Sequence, residues 1–230
     1  MQNIYKDGTY SQNNPDWHEQ DSPWKAKQIL KMIERNNLVP SKICEIGCGA
    51  GEILRQLSEQ MSKDTEFVGY EISPQAFDIC RNKSGKNLKF LLKDPFEGTE
   101  AFFDIVLAID VFEHVEDYFG FLRKIKKKGK YKIFHIPLDI NVQMVLRAAF
   151  LKNRKSVGHI HYFTKETALA SLEDTGHVIL DYFYTPGALE LPNQGWKDDL
   201  MKIPRKLFFS ISEDLTVRIL GGYSLLVLTE

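Results

Sequence analysis

The sequence predicts an α/β fold with a doubly wound, mostly parallel sheet of seven strands and helices on both of its faces. Between residues 41 and 136, short apolar runs alternate with segments of helical periodicity, which is the pattern of strands joined by crossover helices. The first apolar run ends at Gly47, Gly49 and Gly51, and a helical pattern begins directly after them. A strand that turns sharply into a helix in this way is a place where nucleotides bind.

Each element has its own signal in the sequence. The first helix is predicted to begin at Asp21 or Ser22, with Pro23 in its first turn, and to end near Asn36. One strand is expected to end at Ile46, and further strands are expected over 66–72, 88–92, 104–109, 131–136, 178–184 and 223–228. Helices are expected after Gly51 and over 74–82, 117–125, 140–151, 164–175 and 205–212, with a loop over 186–205. Because no crossover helix is evident between the last two strands, the last strand is expected to run antiparallel.

Composition excludes several classes of protein. The chain carries 30 Lys and Arg against 31 Asp and Glu, a net charge of -1, which gives no electrostatic reason to expect nucleic acid or a membrane surface as partner. No apolar run approaches the roughly 18 residues of a membrane span, and no leader pattern is seen, so we expect a cytoplasmic protein. The cysteines, Cys44, Cys48 and Cys80, lack the paired spacing of a zinc site. No metal site is predicted.

The glycine turn could serve a dinucleotide or a nucleoside such as S-adenosylmethionine. A dinucleotide fingerprint requires G-x-G-x-x-G, whereas the spacing here is G-x-G-x-G and is followed by Glu52, a poor neighbour for a pyrophosphate. Glu45, two residues before the first glycine, is an acid that suits a cationic ligand. These carboxylates disfavour an NAD-dependent dehydrogenase.

The segment E-I-G-C-G-A-G strongly resembles the first signature of the class I S-adenosylmethionine-dependent methyltransferases, which have a Rossmann-like fold. The resemblance continues at Glu71, which matches the family's acid for the ribose hydroxyls, and at Asp94, which matches its acid for the adenine amino group. It extends to Asp110 and the E-H-V turn that follows. The resemblance therefore implies S-adenosylmethionine as cofactor, with S-adenosylhomocysteine as product. The implied cofactor-binding residues are Glu45, Gly47, Cys48, Gly49, Gly51, Glu71, Ile72, Asp94 and Asp110.

The same resemblance implies methyl transfer to the oxygen or nitrogen of a small-molecule acceptor by in-line displacement. A hydroxyl acceptor would need a base, for which His114 is the first candidate because it follows the fourth strand, with His161 and His18 in reserve. The alternative is a catalytically silent binding or regulatory protein with the same fold. A DNA amino-methyltransferase is disfavoured, since the chain lacks an N/D-P-P-Y/F tetrad.

We expect one domain over residues 1–230. Residues 41–136 would form its cofactor-binding half, and residues 1–37 a lid and the first helix. The insertions 138–163 and 186–212 would form the acceptor side. The oligomeric state is not predicted.

Overall fold

The computed structural model describes residues 14, 16–17, 19–98, 101–192 and 196–230, without the side chains of 196–199 and 201. The first 13 residues of the segment predicted to form the lid, His18 and the side chain of Trp196 lie outside this description. The strands are β1 (Lys42–Ile46), β2 (Glu66–Glu71), β3 (Leu88–Leu92), β4 (Phe103–Ile109), β5 (Gly129–Pro137), β6 (Ile179–Thr185) and β7 (Ser224–Thr229).

These strands form one seven-stranded sheet in the order β3-β2-β1-β4-β5-β7-β6. The pairs within β3-β2-β1-β4-β5 are parallel, and β7 runs antiparallel to both β5 and β6. The predicted fold class and the reversed last strand are therefore confirmed. The strand order changes direction between β1 and β4, and in open α/β sheets ligands bind in the crevice beyond the carboxyl ends of such strands.

Ten α-helices are described: α1 (Ser22–Arg35), α2 (Glu52–Gln60), α3 (Pro74–Cys80), α4 (Tyr118–Lys126), α5 (Val142–Leu146), α6 (Phe150–Ser156), α7 (Lys165–Asp174), α8 (Gly187–Glu190), α9 (Trp196–Ile211) and α10 (Glu213–Leu220). Several begin at side-chain caps that the sequence indicates. Ser73 accepts from the Ala76 amide at the start of α3, and Thr164 forms a reciprocal capping box with Thr167 at the start of α7. Such caps fix where a helix begins because they satisfy amide groups that have no partner inside the helix.

The core has two layers, one on each face of the sheet. Along β4, Ile105, Leu107 and Ile109 belong to the layer beneath α1 and α2, whereas Val106 and Ala108 belong to the opposite layer. Successive side chains of a strand point to opposite faces, so a strand that is apolar throughout must be covered on both. Among the described residues, no helix is both long and apolar enough to cross a membrane.

The last third of the chain departs from the prediction. The single helix expected over 140–151 is divided into α5 and α6, with Ala148 between them in a left-handed conformation at φ 49°. The loop expected over 186–205 is wrong for most of its length, because it contains α8 and the first half of α9, and α10 was not predicted at all. Pro204 lies inside α9, where a proline removes one helical hydrogen bond and costs about 3 kcal/mol. The helix α9 contacts α10, and local sequence signals do not reveal such a tertiary contact.

His177, in the turn before β6, is a buried histidine with a structural role. Its Nε2 lies 3.1 Å from the Leu122 carbonyl oxygen, and its Nδ1 lies 3.0 Å from the Thr229 hydroxyl. Because a carbonyl only accepts, Nε2 carries the proton and Nδ1 accepts from Thr229. Burial lowers the pKa of His177 to about 4.

We expect this histidine to make stability depend on pH. The unfolded chain, where a histidine has a pKa near ~6.5, takes up the proton before the folded chain does. The free energy of unfolding should therefore fall as pH drops from ~6.5 towards about 4, by up to roughly 3 kcal/mol. Urea unfolding of the parent and of His177→Gln across this range measures the difference. Equal slopes in the two proteins would contradict this role.

Candidate cofactor and active site

The loop from Gly47 to Gly51 joins β1 to α2 and is held against β2. The amides of Gly47 and Cys48 both donate to the Tyr70 carbonyl oxygen, at 2.9 and 3.1 Å, and the Gly51 amide donates to the Cys48 carbonyl at 2.8 Å. Gly47, Gly49 and Gly51 have φ of 72°, 53° and 75°. Residues with a side chain rarely adopt this left-handed backbone conformation, so the turn depends on glycine at these positions.

Two of these glycines serve different purposes. A Cβ on Gly51 would lie 2.7 Å from the Cβ of Cys80 and 2.7 Å from the ring of Phe90, so this glycine lets α2 pack against the sheet. A Cβ on Gly49 would meet nothing within 4 Å. Gly49 therefore borders open space at the carboxyl edge of the sheet, where a ligand can approach the backbone.

Glu71 ends β2 and reaches under the glycine loop. One of its carboxylate oxygens accepts from the Gly49 amide, and the other accepts from the amides of Ile72 and Ser73, each at 2.8 Å. Burial raises the pKa of Glu71, and these three amides oppose the rise. A carboxylate has about four acceptor positions, so Oε2 keeps one for a further donor. The arrangement positions the loop and leaves one acceptor position of Glu71 unused by these amides.

Glu45 lies inside β1, between Gly69 of β2 and Leu107 of β4, and is 2% exposed. Its Oε2 has no hydrogen-bond partner among the described residues. Burial raises the pKa of Glu45 well above its ordinary value; Glu71 and Asp110 add to the rise, and Lys25 opposes it. An unpaired buried carboxyl is costly. An ammonium group of a ligand would satisfy it.

Asp110, directly after β4, is bound from two sides. Lys25 of α1 places its Nζ 2.7 Å from Oδ2, and Nδ1 of His135 lies 2.6 Å from Oδ1. Nε2 of His135 continues the chain to the Thr185 hydroxyl at 2.9 Å. Burial alone would raise the pKa of Asp110, but His135 and Lys25 together lower it well below its usual range. The aspartate is therefore an ionised group linking α1, β4, β5 and β6.

The backbone of Asp110 is strained as well. It has φ 54°, which is uncommon outside glycine and costs of order 1 kcal/mol or more. The amide of Asp110 donates to the His135 carbonyl at 3.0 Å, which helps to hold this conformation. In this conformation the carboxylate of Asp110 contacts Lys25 and His135, at the edge where β1 and β4 end.

The remaining predicted cofactor residues lie at the same edge with different roles. Cys48 is buried, and its Sγ would lie 2.8 Å from a Cβ on Gly69, so its backbone rather than its thiol belongs to the site. Ile72 is 42% exposed and offers an apolar surface next to Glu71. Asp94 follows β3, and its Oδ1 accepts from the Phe96 amide at 2.8 Å, which fixes the turn it lies in. The adenine contact of Asp94 stays a prediction.

The two predicted catalytic histidines have different surroundings. His114 ends a short 3₁₀ turn, Phe112–His114, and its ring centroid lies 4.9 Å from that of His159. The Nε2 of His161 lies 3.0 and 3.3 Å from the carbonyl oxygens of Val115 and Glu116, and its ring packs on Tyr118. Because carbonyl oxygens only accept, Nε2 of His161 donates to them. This contact indicates a structural role for His161.

Four residues of this region were missed as site residues by sequence reasoning: Lys25, His135, Glu113 and His159. Lys25 is one lysine of an amphipathic helix, and nothing in the sequence shows which of its faces meets the sheet edge. His135 lies in β5 opposite Ile109, the last residue of β4, and next to Asp110. His159 pairs with Asp139, 2.6 Å from Nδ1 to Oδ2.

The chain belongs to the family of methyltransferase domains, whose model matches residues 17–183. Together with the sheet topology, this defines it as an S-adenosylmethionine-dependent methyltransferase of class I, as the sequence motifs predicted. The cofactor prediction is confirmed at the level of the family. A curated relative is the ubiquinone biosynthesis O-methyltransferase of Methylocella silvestris, 32% identical over 87 residues, which are 36% of this chain. That match spans 33% of the relative's own length.

Three solved structures illustrate the likeness of fold. One chain of the complex between the Haloferax volcanii Trm112 methyltransferase activator and a methyltransferase matches with a TM-score of 0.64 and 15% identity, covering 97% of this chain and 94% of its own. Magnesium protoporphyrin IX methyltransferase of Synechocystis, with bound S-adenosylhomocysteine, matches with a TM-score of 0.60 and 13% identity, covering 90% of this chain and 82% of its own. The N-methyltransferase NodS of Bradyrhizobium japonicum, also with bound S-adenosylhomocysteine, matches with a TM-score of 0.58 and 16% identity, covering 96% of this chain and 97% of its own.

Proposed function

We propose that this protein transfers the methyl group of S-adenosylmethionine to the oxygen or nitrogen of a small-molecule acceptor. The observation that carries the proposal is the meeting of Glu45, Glu71 and Asp110 around the glycine loop, at the edge where β1, β2 and β4 end. The buried, unpaired oxygen of Glu45 matches a cationic ligand, and Glu71 retains an acceptor position.

The cofactor supplies a methyl group that its positively charged sulfur already activates. The protein's own residues would bind the cofactor and the acceptor, orient them for transfer, and exclude water from the site. We assign the amino end of the cofactor to Glu45, the ribose to Glu71, the base to Asp94 and Ile72, and the close backbone approach to Gly49. Lys25, which is paired with Asp110, would supply a positive charge for the carboxylate of the cofactor.

The acceptor would lie beyond β4 and β5, next to His114 and His159 and under the segments 138–163 and 186–212. The names of similar proteins support a small molecule: one methylates in ubiquinone biosynthesis, and one acts on magnesium protoporphyrin IX. The balanced charge of the chain, -1, supports it further, since it gives no reason to expect a nucleic acid.

The proposal is tested with methyl-labelled S-adenosylmethionine and a panel of phenols, catechols, amines and carboxylic acids. We expect label to move to at least one class of acceptor, with S-adenosylhomocysteine formed in equal amount. The silent alternative predicts cofactor binding with no consumption against any acceptor. Transfer to protein or nucleic acid alone would overturn the assignment of a small molecule.

We also expect His114→Gln to slow methyl transfer to a hydroxyl acceptor by about 100-fold or more, because positioned acid–base groups contribute about that much. The variant should bind S-adenosylhomocysteine as the parent does, since His114 lies on the acceptor side. Steady-state rates and calorimetry on both proteins measure the two effects. A rate within about threefold of the parent would remove His114 from the reaction.

A further inference from the structure

A second cluster of ligating side chains lies beside the proposed acceptor position. It consists of Glu113, His114 and His159, each of which offers one donor atom within 4.8 Å of the others. Nε2 of His114 lies 3.8 Å from Oε1 of Glu113. Two donors on one cation, at about 2.1 Å each, lie between about 3 and about 4.2 Å apart, so this pair already has a suitable spacing.

Glu113 is the unusual member of the cluster. Its side chain is 1% exposed, and neither carboxyl oxygen has a hydrogen-bond partner among the described residues. Its backbone carbonyl accepts from the amides of Ile160 and His161, at 2.9 and 3.0 Å, which ties the cluster's two segments together. A buried carboxyl held without a partner is costly, and native proteins satisfy such groups with a hydrogen bond or a cation.

His159 is already oriented as a metal ligand would be. Its Nδ1 lies 2.6 Å from Oδ2 of Asp139. Since an ionised carboxylate only accepts, Nδ1 donates, and the lone pair is on Nε2. Metal-binding histidines characteristically donate their other nitrogen to a carboxylate in this way. His114 and His159 are both largely buried, 13% and 12% exposed in their side chains, so a bound cation would be shielded from water.

The charge around the cluster also favours a cation. Asp110 and Asp139 act on Glu113 as neighbouring negative charges, and Lys25 is the positive charge that faces it. A divalent ion would bind to one carboxylate and two imidazoles at this position, and the carboxylate of Asp139 lies behind His159.

We propose that Glu113, His114 and His159 bind a divalent transition-metal ion, with Asp139 orienting His159 from behind. Two imidazoles and one carboxylate suit zinc, cobalt or iron(II), whereas magnesium prefers oxygen ligands alone. The sequence did not predict this site, because its ligands come from two segments separated by 44 residues with no metal-binding spacing. Metal binding stands independently of the methyl acceptor. If the proposed function also holds, the ion would lower the pKa of a bound acceptor hydroxyl, and His114 would act through it.

The test uses the full chain after treatment with a chelator, titrated with Co²⁺ and followed by visible absorption, and with Zn²⁺ followed by calorimetry. We expect one ion per chain, no thiolate charge-transfer band, and no comparable binding of Mg²⁺. Glu113→Gln and His159→Gln should each weaken Co²⁺ binding by more than about tenfold, and Asp139→Asn by about tenfold. His161→Gln is the matched control, because its nitrogen faces backbone carbonyls, and it should bind Co²⁺ as the parent does.

Circular dichroism of each variant establishes that it is folded before titration, and Asp139→Asn provides a second route if a ligand variant does not fold. The proposal is overturned if the parent binds neither Co²⁺ nor Zn²⁺ at millimolar concentration. It is equally overturned if Glu113→Gln binds as tightly as the parent, or if the Co²⁺ spectrum shows thiolate ligands. None of these readouts involves methyl transfer, so failure of the metal site and failure of the proposed function are distinguishable.

Discussion

Replacing Glu71 with glutamine is expected to weaken the binding of S-adenosylhomocysteine by about 100-fold or more. The carboxylate holds the amides of Gly49, Ile72 and Ser73 and keeps one acceptor position for the ligand. Glutamine has only one acceptor oxygen. Its side-chain NH₂ group, which is a donor, would therefore face either the backbone amide of Gly49 or those of Ile72 and Ser73, which are donors as well. Losing the ligand's hydrogen bond to a charged acceptor, and displacing the Gly49 backbone that the ligand approaches, together cost roughly 3 kcal/mol in binding, which is about 100-fold in affinity.

Glu66→Gln is the matched control for this variant. Glu66 begins the same strand, β2, and is exposed at the end opposite the glycine loop. Calorimetric titration of S-adenosylhomocysteine into both variants and the parent gives the comparison. We expect the control to bind as the parent does. If Glu71→Gln binds within about threefold of the parent, Glu71 neither contacts the ligand nor positions the loop for it.

Gly51→Ala is expected to have the largest effect on stability, a loss of about 2–5 kcal/mol in the free energy of unfolding. Two costs add. A non-glycine residue at φ 75° costs about 1–2 kcal/mol. A Cβ at 2.7 Å from Cys80 and Phe90 forces buried neighbours apart, and overpacking of this kind costs about 1–3 kcal/mol.

Two other glycines separate these causes. Gly85 has no positive φ and open space around its Cβ position, so Gly85→Ala should leave stability within about 1 kcal/mol of the parent. Gly49 has the strained φ but no clash, so Gly49→Ala should cost about 1 kcal/mol and mainly weaken cofactor binding. Urea unfolding of all three variants measures the order. An unfolding free energy for Gly51→Ala equal to that of Gly85→Ala would contradict the packing role of Gly51.

The parallel half of the fold was predictable because its signals are local and repeated. Each strand between Lys42 and Pro137 is a short apolar run, and the helices between them begin at recognisable caps or at the glycine turn. The segment from 186 to 220 was not predictable in this way. Its helices α9 and α10 contact each other, and α9 continues through Pro204, which is a helix-breaking signal in the sequence.

The site was predictable where it depends on strand ends and unpredictable where it depends on tertiary contact. The carboxyl ends of neighbouring parallel strands meet at one edge, so Glu45, Glu71 and Asp110 could be placed together from their positions in the sequence alone. The approach of Lys25 to Asp110 depends on how α1 packs across the sheet. The pairing of His159 with Asp139 depends on the path of the chain after β5. Neither leaves a local signal.

The most direct test of this account is a calorimetric titration of S-adenosylhomocysteine into the full chain, with Glu45→Gln alongside. The account predicts one binding site per chain and much weaker binding by the variant, since glutamine cannot ionise to pair with the ligand's ammonium. Absence of binding to the parent at millimolar ligand would contradict the account, and so would equal affinity of the parent and Glu45→Gln.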